Sequence, residues 1–318
     1  MSPEMNRRTF IKGSLAASPV GTLALAAAGR AAGKDEAART ALPKGRIGKL
    51  EVSRLLLGGN LLTHYTHSRD LKYVYNLAAH YNTEAKILET LAAAEAHGVD
   101  TLVVHFVPKV LRILADHRKR GGKIKWIICP AAGVDEGMKA YSQQLQELAD
   151  MGCEAIYLWG VRADALTAAG KVDLLAKAVG MARDHALPSG VGAHDLRVIQ
   201  ACEKNKVPAD FYIKTLHHHN YPSGPKADEL KGPTREIPGY WCEDPKAVVA
   251  FMKSVAKPWI AFKVMAAGAI PPQNAFQYAF ASGADHVLAG MFDFEIAEDA
   301  AIARKVLAGL KRSRPWRS

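Results

Sequence analysis

Polar side chains that can carry chemistry follow several short apolar segments of the chain, at the point where each segment ends. One such segment, Phe211 to Leu216, contains a lysine and leads into three consecutive histidines. A closed parallel barrel gathers the carboxyl ends of all its strands at one mouth. The sequence therefore predicts that residues far apart along the chain meet at a single site. The titratable members of this set are His64, His67, His105, Cys129, His194, Asp195, Lys214, His217 to His219, Lys263 and Asp293.

A divalent metal ion is one cofactor that such a set suggests, because imidazole nitrogens and carboxylate oxygens are common ligands of these ions. Consecutive residues on a strand alternate between its two faces, so no more than two of the three successive histidines can point the same way. The chain has no HExxH motif. The predicted metal ligands are His105, His194, His217, His219 and Asp293.

Two lysines stand inside apolar segments, Lys214 in the sixth predicted strand and Lys263 in the seventh. A lysine buried in this way is either paired or has a pKa low enough for its amine to act as a nucleophile. The segments around these lysines resemble the two lysine strands of deoxyribose-phosphate-type class I aldolases. The resemblance implies that Lys214 forms a Schiff base and that Lys263 tunes it. Structural or phosphate-binding lysines are the alternative interpretation, and both stay open.

Glycines mark the ends of the last two predicted strands. Gly268 follows the seventh strand, and Gly290 ends the segment Gly283 to Gly290. This pattern resembles the phosphate-binding end of many barrels, where backbone amides and a helix N-terminus hold an anion. Gly268 and Gly290 are therefore predicted to bind a cofactor, with tight turns as the alternative explanation for both glycines.

The elements that must position these residues alternate regularly between short apolar runs and helical segments. Eight strand–helix units follow one another between Ser53 and Leu310. Strands that alternate with helices predict a parallel sheet, and eight units predict a single closed (β/α)8 TIM barrel of the α/β class. A cap hairpin over Arg46 to Val52 precedes the first barrel strand, and the barrel domain is predicted over residues 45–318.

Two long loops interrupt the predicted barrel, Asn60–Asn82 after strand 1 and His217–Glu243 after strand 6. Loops of this length in a compact domain are usually functional. Both leave the carboxyl end of a strand, so both are expected to cover the mouth of the barrel. The residues predicted to bind substrate at this mouth are Asn60, His64, Trp159, Tyr221 and Trp241.

The first 32 residues are typical of a twin-arginine (Tat) export signal, because Asn6-Arg-Arg-Thr-Phe-Ile-Lys12 precedes an alanine-rich apolar run. Residues 33–44 are interpreted as a linker. The signal predicts a periplasmic or secreted protein that is exported already folded, with the Tat translocase as a partner during export. The apolar run is too short to span a bilayer comfortably, so no membrane span is expected after cleavage.

Charge and cysteine usage exclude several functional classes. The formal net charge is +11, and the small clusters Arg118–Arg120 and Lys311–Arg314 are predicted to lie on solvated surfaces. Because no basic run is interleaved with aromatic residues, nucleic acid is not an expected partner. The four cysteines show no CxxC spacing, and Cys129, Cys153 and Cys202 are predicted to be buried thiols.

The segments Gly45 to Gly59 and Gly98 to Thr101 resemble the opening of aldo/keto reductase barrels, in which a short hairpin precedes a Ser-Arg strand and an Asp-Thr pair opens the second strand. The resemblance implies NAD(P) as a candidate cofactor. It also implies catalytic roles for Asp100, at the position of the family's aspartate, and for His105, where the family has its proton-donating tyrosine. The family's lysine and histidine positions fall near Cys129 and Trp159.

Three functions remain open from the sequence. The first is a reductase-like oxidoreductase that acts on a small carbonyl compound or sugar. The second is a lyase, aldolase or isomerase that uses Lys214 as a Schiff base or a metal held by histidines. The third is a non-catalytic sugar-binding barrel. The predicted catalytic residues across these alternatives are Asp100, His105, Lys214 and Lys263.

Overall fold

The computed structural model describes residues 41–69, 71–230 and 242–318. The predicted export signal, the linker up to residue 40 and Trp241 lie outside the described residues. The described chain begins with an antiparallel hairpin of β1 (Lys44–Ile47) and β2 (Leu50–Ser53). This hairpin is the cap predicted from the sequence.

Eight parallel strands form a closed barrel in which each strand pairs with the next along the chain and the last pairs with the first. This architecture confirms the predicted (β/α)8 fold. Most strand residues are buried because the lumen covers one face of the sheet and the helices cover the other. The strands are β3 (Leu55–Gly58), β4 (Thr101–His105), β5 (Lys125–Cys129), β6 (Ala155–Leu158), β7 (Ser189–Ala193), β8 (Phe211–Thr215), β9 (Trp259–Phe262) and β10 (His286–Ala289).

Helices return the chain from one strand to the next. Side-chain caps begin some of them, as where Thr83 accepts a hydrogen bond from the Lys86 amide. No helix of the described residues is long and apolar enough to cross a membrane. The helices are α1 (Lys72–Tyr81), α2 (Glu84–Ala96), α3 (Pro108–Lys119), α4 (Lys139–Asp150), α5 (Gly160–Ala168), α6 (Val172–Met181), α7 (Leu196–Lys204), α8 (Pro245–Met252), α9 (Pro272–Ala281) and α10 (Ile296–Ala308), with a 3-10 turn at Ala182–His185.

The barrel interior is filled by alternate strand residues. The hairpin supplies Ile47 and Val52 to the same apolar cluster as Leu56, Val103 and Phe211, so it closes the amino-terminal end of the barrel. A larger cluster lies between the strands and the helices. All four cysteines are buried free thiols, as expected for Cys129, Cys153 and Cys202.

The first long loop is not entirely irregular, because α1 lies within the predicted loop Asn60–Asn82. Its residues Tyr73 and Leu77 are 65% and 62% exposed. The helix buries only Ala78, which is why the sequence does not show the apolar periodicity that identifies a packed helix.

The C-terminal tail contradicts the prediction that Lys311–Arg314 lies on a solvated surface. Arg314 is 2% exposed, and its Nη1 donates to Asp285 Oδ2 over 2.6 Å. The Trp316 ring lies 3.9 Å from the Arg54 guanidinium carbon and 3.4 Å from that of Arg312. Lys311 is exposed as predicted, whereas Arg314 is part of the core and Arg312 reaches the same buried carboxylate of Asp285, which precedes β10.

Candidate functional site

A cavity of about 410 Å³ lies at the carboxyl end of the barrel strands. Residues in or directly after seven of the eight barrel strands line it; β5 is the exception. Of the residues predicted from the sequence, the cavity brings together Asn60, His105, Trp159, His194, Lys263, Gly268 and Gly290.

His105 is held in the cavity by aromatic contacts. It ends β4, and its ring stacks on Trp159 with 5.6 Å between centroids and 3° between planes. Tyr65, from the first long loop, meets the same ring edge-on at 5.6 Å. Burial lowers the pKa of His105 below its usual 6.5. At neutral pH the ring is therefore an uncharged imidazole with one N–H donor and one acceptor nitrogen.

His194 follows β7 and is fixed by Asp164 of α5. The carboxylate accepts hydrogen bonds from the His194 amide (3.1 Å) and the Asp195 amide (3.1 Å), and its Oδ2 lies 2.7 Å from His194 Nδ1. A Cβ at Gly192 would lie 2.9 Å from the Gly160 amide nitrogen, so this close approach of α5 to β7 requires glycine. Burial lowers the pKa of His194 although Asp164 acts in the opposite direction.

The two lysines have different environments. Lys214 is 1% exposed and does not line the cavity, because Ile213 takes the inward face of β8 and the next residue points outward. Its Nζ donates to His194 O (2.7 Å), Thr215 Oγ1 (2.6 Å) and Thr215 O (3.1 Å). Burial lowers the pKa of Lys214. Lys263 follows β9, has a φ of +58° and does line the cavity.

His67 lines the cavity, as its place in the loop after the first barrel strand predicts, although the sequence assigns it no role. Its Nε2 accepts a hydrogen bond from Asn60 Nδ2 over 3.2 Å, and its ring meets Tyr65 at 5.5 Å. Burial lowers the pKa of His67 to about 3, and the charge of Lys263 acts in the same direction. The only sequence signal for this residue is its place in a long loop after a barrel strand, which it shares with His64.

Several predicted residues lie away from the cavity and are held by other contacts. His64 Nε2 donates to Asn82 O over 2.9 Å, and His219 Nε2 donates to Cys242 O over 2.6 Å. Asp293 accepts hydrogen bonds from Tyr81 (2.7 Å) and Lys86 (3.2 Å). The predicted residues that do not line the cavity are His64, His217, His219, Tyr221 and Asp293.

The predicted metal site is not assembled in the part of the chain that the structure describes. No group of three or more His, Cys, Asp or Glu side chains there is arranged to hold an ion. His105 and His194 line the cavity, whereas His217 packs against His219 with 5.8 Å between ring centroids. Strand ends determine the general position of a side chain, but the local turn determines its direction.

Asp100 lies at the opposite end of the barrel from the cavity, because it immediately precedes β4. Its carboxylate accepts hydrogen bonds from the Ser53 amide (2.8 Å) and Lys125 Nζ (2.8 Å), and it pairs with Lys44 at 3.1 Å. These contacts lower the pKa of Asp100 to about 2, although burial, the largest effect, opposes them. Asp100 therefore anchors the hairpin to the barrel, and its predicted catalytic role is not retained.

The loops after β9 and β10 form one end of the cavity. Gly268 and Gly290 both line it, and Gly268 follows two alanines that also have positive φ angles. Glu295 and Asp299 line the same end, and Asp299 is only 5% exposed. Burial raises the pKa of Asp299 to about 7, and the neighbouring Glu295 and Glu298 add to this. Carboxyl groups here favour hydroxyl or amide groups of a ligand over a phosphate.

Comparisons with known proteins identify the fold. No protein-family model matches the sequence, and no curated protein matches it. Solved structures do match. A candidate aldo-keto reductase from Pseudomonas aeruginosa is 16% identical, with a TM-score of 0.54 over 83% of this chain and 94% of that one. An aldo-keto reductase from Bacillus halodurans in its holo form is 10% identical, with a TM-score of 0.56 over 86% of this chain and 98% of that one. At these identities, the chain is similar to aldo-keto reductases in its fold.

Proposed function

We propose that this protein is an oxidoreductase that interconverts a small carbonyl compound and its alcohol with a nicotinamide cofactor. The observation that carries the proposal is the His105 ring, which lines the cavity and contacts the rings of Trp159 and Tyr65. Carbonyl reduction requires a proton donor beside the oxygen on which negative charge develops. The imidazole N–H of His105 is suited to this task, and Lys263 lines the same cavity and would stabilise the developing charge.

The far end of the cavity suits the ribose of such a cofactor, whereas its carboxyl groups, Glu295 and Asp299, disfavour the phosphates there. Gly268 and Gly290 bring the backbone to the cavity surface without side chains, and the Asp299 carboxyl can bond to a hydroxyl of a ribose. When bound, the cofactor would supply or accept the hydride. The protein side chains would bind the carbonyl, exclude water and deliver the proton.

Binding of NADH and NADPH to the purified protein tests the proposal through nicotinamide fluorescence, followed by turnover assays with small aldehydes and ketones. His105→Gln should lower kcat by about 10²-fold or more, because it removes the proton donor. His80→Gln is the matched control, because His80 is exposed on α1. Absence of binding by either cofactor, or full activity in His105→Gln, would contradict the proposal.

The Schiff-base alternative is less well supported. The Lys214 amine is buried outside the cavity and donates three hydrogen bonds, so a carbonyl ligand has no access to it. A non-catalytic sugar-binding barrel remains the second candidate, because aromatic rings and hydrogen-bonding groups in one cavity also suit a sugar. Sugar binding by calorimetry without nicotinamide binding would favour that candidate.

Export by the twin-arginine route is also proposed, and it rests on the sequence from Asn6 to Lys12. A fusion to a fluorescent reporter tests it in a host with an intact translocase. Replacing both Arg7 and Arg8 by lysine should retain the reporter in the cytoplasm, because the receptor recognises the arginine pair. The control is Arg30→Lys, which leaves the pair unchanged. Periplasmic reporter in the double variant would contradict the proposal.

A further inference from the structure

His194 is fixed more firmly than the other cavity histidines. Asp164 accepts hydrogen bonds from its amide and holds its Nδ1, while Lys214 Nζ donates to its carbonyl oxygen over 2.7 Å. The Phe262 ring packs beside the imidazole, with 5.5 Å between centroids. The ring is therefore held in one orientation before any ligand binds. Such an arrangement is typical of a histidine whose second nitrogen has a specific task.

The partner of Nδ1 determines which nitrogen carries the proton. Asp164 Oδ2 lies 2.7 Å from Nδ1, and a carboxylate can only accept a hydrogen bond. The neutral ring therefore carries its proton on Nδ1 and has a lone pair on Nε2. Nε2 makes no hydrogen bond with the described residues, although the ring lines the cavity. The cavity thus contains an oriented acceptor that no described side chain occupies.

The charges around the ring determine what this acceptor can bind. Asp164 lies behind it, while Lys263 and Lys214 both act on it as positive charges, and His67 shares its cavity. A cationic amine would be repelled by the nearby lysines, and an anion offers no hydrogen to Nε2. A neutral donor, such as a hydroxyl group, fits this acceptor.

We propose that Asp164 positions His194 so that Nε2 accepts a hydrogen bond from a substrate hydroxyl, which makes hydroxylated carbonyl compounds the preferred substrates of the cavity. The proposal rests on the proposed function for its carbonyl component. Its hydroxyl component depends only on the His194–Asp164 geometry. In this arrangement Asp164 is a positioning residue and His194 contacts the substrate.

Asp164→Asn provides a sharp test because the structure fixes the orientation of the new amide. Oδ1 accepts hydrogen bonds from two backbone amides, those of His194 and Asp195, so the asparagine oxygen should occupy that place. Its NH2 group then faces Nδ1, which must become the acceptor, and the ring proton moves to Nε2. The variant thus turns the acceptor in the cavity into a donor while the shape of the side chain is kept.

Nitrogen-15 NMR of the ligand-free protein measures the tautomer directly. The wild type should show an unprotonated Nε2, and Asp164→Asn should show an unprotonated Nδ1. Asp195→Asn is the matched control, because Asp195 is the adjacent carboxylate but bonds to Arg197 rather than to the ring. A wild-type ring that is protonated on Nε2, or an unchanged tautomer in Asp164→Asn, would overturn the positioning role. A changed His194 tautomer in Asp195→Asn, with that variant folded, would also count against the positioning role of Asp164.

Glyceraldehyde and propanal test the substrate preference, because they differ in hydroxyl groups at the same chain length. Adding glyceraldehyde should shift the His194 Nε2 resonance and propanal should not, whether or not turnover occurs. In the turnover assay, wild-type kcat/KM should favour glyceraldehyde by at least about tenfold, and Asp164→Asn should abolish most of that preference. Equal responses to both compounds would refute the inference. A specific Nε2 shift without nicotinamide binding would refute only the proposed oxidoreductase function.

Discussion

Asp299 should make the stability of this protein decrease as the pH rises from acid to neutral. The residue is 5% exposed beside the cavity, and its pKa is raised from 3.8 to about 7 by burial and by the neighbouring glutamates. The folded state therefore binds this proton more tightly than the unfolded chain does. At pH values below 3.8 both states are protonated and no penalty arises. Between about pH 4 and pH 7 the unfolded chain loses its proton first, so stability is lost, and above pH 7 the loss is complete.

The size of the effect follows from the shift in pKa. One pKa unit corresponds to about 1.4 kcal/mol, so the full shift gives an upper limit of roughly 4 kcal/mol. The favourable interaction of a carboxylate with the first turn of α10 is worth about 0.3–1 kcal/mol, which is too small to cancel the cost of burial. Asp299→Asn should therefore stabilise the protein by about 2–4 kcal/mol at pH 8 and leave it nearly unchanged at pH 4.

Urea denaturation of the wild type and Asp299→Asn at pH 4, 6 and 8 measures this difference. Glu298→Gln is the comparison variant, because Glu298 is exposed in the same turn and affects Asp299 only through its charge. Its stabilisation at pH 8 should be clearly smaller than that of Asp299→Asn. If the free energy of unfolding changes with pH in the same way in the wild type and in Asp299→Asn, the Asp299 carboxyl ionises normally in the folded protein. That result would refute the argument.

Two further predictions concern buried charges. Arg314→Met should destabilise the protein by about 3–5 kcal/mol in urea denaturation, because the buried Asp285 carboxylate loses its partner at 2.6 Å and is left with Arg312, at 3.4 Å. Arg120→Met, which removes an exposed ion pair, should cost less than about 1 kcal/mol, and equal costs would contradict this account. Borohydride reduction in the presence of glycolaldehyde should leave Lys214 unmodified in peptide mass mapping, because its amine is buried and hydrogen-bonded. Reductive labelling of that lysine would revive the Schiff-base mechanism.

The order and type of the barrel elements could be predicted because their signals are local. Apolar runs the length of strands, a proline at the start of α3 and Gly98 with a φ of +81° after α2 each act within a few residues. The sequence does not predict the exposed helix α1 for the same reason, since a helix that buries one residue carries little apolar pattern.

Side-chain partners could not be predicted, because they come from distant parts of the chain. The tail cluster from Lys311 to Arg314 looks like a solvated surface in the sequence, yet Arg314 meets Asp285 in the core. Lys214 looks like a nucleophile, and only the alternation of β8 together with the His194 carbonyl shows that it is buried outside the cavity. Asp164 carries no sequence signal at all, because it acts from the first turns of a helix on a histidine 30 residues away.

The sequence by itself determined that eight strand–helix units close into a barrel behind a cap hairpin, and that polar residues at the strand ends would gather at one mouth. Periodicity and turn chemistry are properties of neighbouring residues, so they can be recognised without coordinates. Only the tertiary structure decided which of those residues share the cavity. It placed His67, His105, His194 and Lys263 there and directed Asp100, Lys214 and His219 elsewhere. The physical reason is that the direction of a side chain depends on strand register, local turns and partners across the fold, none of which is encoded within a few residues of the side chain itself.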